Sequence, residues 1–139
     1  MMSRRFTLAA AAAALAVGAG PAAAQTVVGV TDDTIKIGNI MPYSGPASAY
    51  GQIGEAMQAY VEMVNAEGGV NGRQIEFISY DDGYQPPRTV EQARKLVERD
   101  EVAALFATLG TPTTSAIHRY VNARQVPLLF VATGASKDR

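Results

Sequence analysis

The chain has 139 residues, with 12 Lys+Arg against 13 Asp+Glu, a single histidine and no cysteine. A mildly acidic chain without a basic run argues against nucleic acid as a partner. The missing cysteines exclude disulfides, thiol chemistry and a lipidated N-terminal cysteine in this stretch, and a lone His118 offers no cluster for structural zinc.

The first segment reads as an export signal. Arg4 and Arg5 sit in an acid-free start, Thr7 to Gly20 is an Ala-rich apolar run, and Ala22, Ala23 and Ala24 follow Pro21. A positive start, a short apolar stretch and an A-x-A end are the parts of a secretory signal peptide. The run is too short to span a bilayer, so a transmembrane helix is the poorer account. The twin arginine in Ser3-Arg4-Arg5-Phe6 leaves Sec and Tat export both open. Cleavage is expected after Ala24, which places the product in the periplasm. The remaining 115 residues then carry ten basic and 13 acidic side chains, a net charge of −3. That length suffices for one small core.

The elements alternate from there. Thr34 to Met41 is a strand ended by Pro42. Ile53, Met57, Tyr60 and Val64 recur at helical spacing, with Glu55, Gln58 and Glu62 on the other side. Gly68-Gly69 stops that helix, because glycine accepts the left-handed position past a helix end. Ile75 to Tyr80 is a second strand, closed by Asp81-Asp82-Gly83. Pro86-Pro87 opens a second helix with Val90, Ala93, Leu96 and Val97 on its apolar side. Val102 to Ala107 is a third strand. Thr111-Pro112 starts a third helix, with Thr111 as a hydroxyl N-cap and proline at the first helical position. A fourth strand, LLFVA, follows Pro127 and ends at Thr133-Gly134.

Apolar strands separated by helices indicate an α/β fold with a doubly wound parallel sheet covered on both faces. Right-handed crossovers favour the spatial order 2-1-3-4. In such sheets a ligand lies beyond the carboxyl ends of the strands, where the strand order reverses. The loops at that place are 42–51, 108–114 and 132–136, and all are rich in Ser, Thr, Gly and Tyr. Thr111, Thr113 and Thr114 at a helix start could together hold a carboxylate, since the first N–H groups there are unpaired. On residue type alone the favoured use of Thr111 is to cap its helix, because capping is the common use of threonine at that place. Tyr50 is placed either to stack on a solute or to sit at the surface beside Gly51. Tyr43 and Ser44 fit a proline-led turn. Asp81 and Asp82 fit a solvated turn better than a pair for acid–base or Mg²⁺ chemistry. His118 falls mid-helix.

No G-x-G-x-x-G, G-x-x-x-x-G-K-[ST] or G-x-S-x-G pattern is present, so no nucleotide, cofactor or hydrolase site is expected. The residues do carry a resemblance. IKIG, MPYSGPASAYG, VNAEGGVNGR, YDDGYQP, EQARKLVERDEVAALFATLGTPTTSAI and VPLLFVATGAS, in that order, resemble the branched-chain amino acid (Leu/Ile/Val) binding proteins of ABC importers. The likeness runs from Ile35 to Ser136 and covers the first part of a longer two-lobed pattern.

The resemblance implies that 25–139 is an incomplete N-terminal lobe and that the protein is not an enzyme. It implies a monomer that captures a small carboxylate-bearing solute by closure of two lobes and delivers it to an inner-membrane permease. It implies ligand contacts from Tyr50, Thr111, Thr113, Ala132, Thr133 and Gly134. Phe130-Val131 stand where amino-acid binders often carry Ser-Pro. Tyr84 and Gly110 stand where some members have a cysteine pair. PYSGPASAYG, YDDGYQPP and FVATGAS are similar to binders of aromatic carboxylates, so both ligand classes stay open. An enzyme using Asp81-Asp82 and the ligand-sensing domain of a receptor or regulator are the competing classes.

Overall fold

The computed structural model describes residues 27–136; the expected signal peptide and its cleavage after Ala24 lie outside them. The strands are β1 (Thr34–Met41), β2 (Gln74–Asp81), β3 (Ala104–Phe106) and β4 (Leu128–Leu129). The helices between them are α1 (Gly51–Ala66), α2 (Pro86–Arg94) and α3 (Thr111–Ala123). Every pairing is parallel and the spatial order is β2-β1-β3-β4. This is the 2-1-3-4 order, reversing between β1 and β3. Among the described residues, no helix is long and apolar enough to cross a membrane.

Strand periodicity divides the side chains between two faces. Ile40, Leu105, Ile78, Tyr80 and Leu128 face α2 and α3. There they meet Ala93, Leu96, Ile117 and Val121 in one core. Gly38 lies in the middle of β1, where a Cβ would come within 2.9 Å of Leu105 and 3.1 Å of Leu96. The missing side chain lets α2 seat Leu96 against the sheet. The helix then widens into one π turn, Lys95–Arg99.

The opposite face is less covered than the sequence suggests. Ile37, Ile75, Phe77 and Phe106 point toward α1 and share an open apolar groove of about 600 Å³ with Ile53, Met57 and Tyr60. The expected inner stripe of α1 is therefore half in water: Ile53 is 40% exposed and Tyr60 63%. The reason is geometric. One helix about 10 Å across cannot shield four strands spaced about 4.8 Å apart.

β3 and β4 are shorter than the apolar runs Val102–Ala107 and Leu128–Ala132. Ala107 and Phe130, one just past each strand, both have φ 52. These two kinks are side by side, because Phe106 pairs with Leu129. Beyond them the chains meet again at Leu109 and Ala132 in the same register. The ladder is interrupted, not ended, and the Phe106 and Phe130 rings pack at the break, with centroids 5.4 Å apart.

Candidate functional site

A buried polar chain supports the kink. Asn39 is fully buried in β1, and its Nδ2 donates to the carbonyls of Phe106 (2.8 Å) and Ala107 (3.2 Å). Its Oδ1 accepts from the Ser79 hydroxyl at 2.7 Å. That uses the only hydrogen on Ser79 Oγ, so the 2.6 Å contact to Tyr43 has the tyrosine donating. Carbonyls freed by the broken ladder are thus satisfied from β1. The sequence signal for this role is an uncharged amide, Asn39, set among Gly38, Ile40 and Met41 in the strand. Tyr43, read as part of a turn, closes the network.

Above the kink a cavity of about 350 Å³ opens at the carboxyl edge of the sheet. Tyr50, Thr111, Ala132, Thr133 and Gly134 line it, as the loop argument expected. Ile53, Tyr84, Leu109 and Gly110 complete the lining. Thr113 is not among them. Its side chain is fully buried, and its hydroxyl turns back to the carbonyls of Leu109 and Gly110 (3.0 Å to the latter). Thr114 is also buried, its hydroxyl 3.3 Å from that of Thr108. These two threonines fasten the loop from behind, because the first helical turn points them inward.

Thr111 does not cap α3. Gly110 occupies the N-cap with φ 103, which moves Thr111 and Pro112 one place further into the helix than expected. The Thr111 hydroxyl instead meets the Thr133 hydroxyl at 2.6 Å. Thr133 Oγ1 also accepts the Ala135 N–H at 3.1 Å. Two hydroxyls sharing one hydrogen bond leave one O–H hydrogen to offer an acceptor. Among the described residues, no backbone carbonyl takes the N–H of Thr111 or Thr113; that of Thr114 returns to Gly110. The free Thr111 N–H, a spare hydroxyl hydrogen and the positive end of a 13-residue helix lie together at the cavity. This arrangement suits an anionic oxygen.

Asp81 and Asp82 are committed to structure. Asp81 accepts from the Ser44 hydroxyl (2.5 Å), the Ser44 N–H, the Gly83 N–H and Arg88. Burial alone would raise its pKa. The Ser44 hydroxyl, the two N–H groups and the Arg88 charge outweigh burial and hold it at about 2. Asp82 is fully buried and binds the Tyr84 N–H and the Thr89 hydroxyl. Both carboxylates therefore knit the β2–α2 turn. His118 lies within α3, half-buried.

A family model described as periplasmic binding protein matches residues 34–139. The chain belongs to the periplasmic binding protein family. It is 31% identical over 127 residues to a Leu/Ile/Val-binding protein homolog of Brucella suis, covering 91% of this chain and 29% of that protein. A branched-chain amino acid transporter substrate binding protein from Streptococcus pneumoniae, solved in complex with isoleucine, superposes with a TM-score of 0.70. The two share 28% identity over 75% of this chain and 30% of that one. A solute binding protein of an ABC transporter from Rhodopseudomonas palustris, solved with 3,4-dihydroxy benzoic acid, superposes with a TM-score of 0.67. It shares 31% identity over 76% of this chain and 29% of that one. The chain thus spans under a third of the length of these relatives.

Proposed function

We propose that this periplasmic binding protein is the extracytoplasmic solute-binding component of an ABC importer, and that 25–139 forms part of its carboxylate-holding lobe. The observation that carries the reading is the Thr111–Thr133 hydroxyl pair at the open start of α3, inside the cavity. The solute's carboxylate sits against that helix start, and a second lobe closes over the remainder. Closure is driven by the solute's greater affinity for the closed form, which is the form that docks on the permease. The signal peptide at 1–24 delivers the protein to the periplasm, where it works as a monomer and without catalysis.

The names of the relatives make a branched-chain amino acid or a related small carboxylate the first reading of the solute. A second reading, an aromatic carboxylate, is favoured by the two tyrosines in the cavity lining and by the benzoic-acid complex of the Rhodopseudomonas relative. Calorimetry on the full-length protein with a panel of both classes tests the proposal, and binding of neither class overturns it. Thr111→Val keeps the shape and removes the hydroxyl. It is expected to weaken every carboxylate ligand by about 1.5–3 kcal/mol, the cost of losing a charge-assisted hydrogen bond. Unchanged affinity would place the carboxylate elsewhere.

A further inference from the structure

Tyr84 carries no role in the sequence reading beyond occupying a place where some family members have cysteine. In the structure its ring lies against Gly110, where a Cβ would come within 2.5 Å of its Cε2 and 3.1 Å of its Cζ. The ring therefore abuts the start of α3, and it lines the same cavity as Thr111 and Thr133. Its backbone is held at φ 61, a region costly for a residue with a Cβ. Asp82 maintains it there. One carboxylate oxygen accepts the Tyr84 N–H at 2.8 Å, and the other ties the loop to α2 through the Thr89 hydroxyl at 2.7 Å. Tyr84 is thus a pre-placed wall beside the anion-binding groups, with Tyr50 as a second aromatic side chain in the lining.

We infer that Tyr84 sets the class of solute, favouring a carboxylate borne on a planar aromatic ring over an aliphatic α-amino acid. This rests on the carboxylate-cradle reading given above. Aromatic pairs gain from offset or edge-to-face geometry beyond the area they bury. A branched aliphatic side chain gains area alone. A wall fixed beforehand also removes the entropy cost of ordering a mobile ring when the solute arrives.

The test is calorimetry of the full-length protein and its Tyr84→Leu, Tyr84→Phe and Thr111→Val variants against benzoate, 4-hydroxybenzoate, leucine and isoleucine. The wild type is expected to bind an aromatic acid about tenfold or more tighter than either amino acid. Tyr84→Leu is expected to lose about tenfold on the aromatic acids and distinctly less on leucine, while Tyr84→Phe keeps the aromatic preference. A wild-type preference for leucine or isoleucine overturns the inference, as does an equal loss on both classes in Tyr84→Leu. Thr111→Val separates the two readings. If it leaves all affinities intact, the cradle itself is wrong; if it weakens them while Tyr84→Leu changes nothing, only the role of Tyr84 falls. Should Tyr84→Leu not fold, the wild-type preference and Tyr84→Phe decide.

Discussion

Four internal donors reach Asp81, from Ser44, Gly83 and Arg88. Because its folded pKa is lowered to about 2, the ionised form stabilises the fold above the ordinary carboxylate value near 4. That stabilisation is lost as pH falls from about 4 toward 2. Urea midpoints across that range should fall less steeply in Asp81→Asn than in the wild type, and the variant should be less stable at neutral pH. Identical slopes would mean that the turn does not depend on the charge. Gly110 is constrained from two sides: its φ of 103 is left-handed, and a Cβ would collide with Tyr84 and with Thr113 Oγ1 at 2.6 Å. Gly110→Ala is expected to destabilise the protein by about 1–3 kcal/mol, read from denaturant unfolding, and to weaken solute binding.

The decisive feature among the elements is the paired kink after β3 and β4. It turns Thr108–Gly110 and Ala132–Gly134 away from a regular ladder and brings their ends together over the sheet edge. Asn39 holds that break from the neighbouring strand. Asn39→Leu keeps the approximate volume and takes the side-chain donor from the Phe106 and Ala107 carbonyls, while the Ser79 hydroxyl keeps Tyr43. The expected cost is about 1–3 kcal/mol for each group left without a partner, measurable by urea unfolding, with a matching loss of solute affinity. A near-neutral variant would show that water satisfies those carbonyls instead. The kinks were not legible in VAALFATLG or PLLFVATG, since neither Ala107 nor Phe130 is a residue type that favours a positive φ. Tertiary pairing imposed that conformation against local preference. The helix spacing, by contrast, was plain, because a 3.6-residue apolar repeat is a local property.

Across the whole molecule, the two faces of the sheet differ. The α2–α3 side has a closed core, whereas Tyr60, Met63 and Ile53 of α1 remain 63%, 47% and 40% exposed beside an apolar groove. Large contiguous apolar surface of this kind binds hydrophobic dyes and promotes association. A polypeptide of residues 25–139 is expected to bind such a dye, and Tyr60→Lys should reduce the signal without lowering the unfolding free energy by more than about 0.5 kcal/mol. Dye binding unaffected by that change would point to a different apolar surface.

Order of elements, parallel sheet and the edge where the cavity opens followed from the sequence alone. Apolar periodicity and glycine and proline stops are local, and the handedness of crossovers leaves few arrangements. The switch between β1 and β3 placed the loops that carry Tyr50, Thr111, Ala132, Thr133 and Gly134 at that edge, while Ala132, Thr133 and Gly134 were singled out only by the family resemblance; all five line one cavity. Tertiary structure alone decided the rest. It paired Thr111 with Thr133 across 22 residues, buried Thr113 behind the site, set Tyr84 against Gly110, and made Asn39 the support of the kink. Each of these depends on which groups meet through space, and no periodicity along the chain records that.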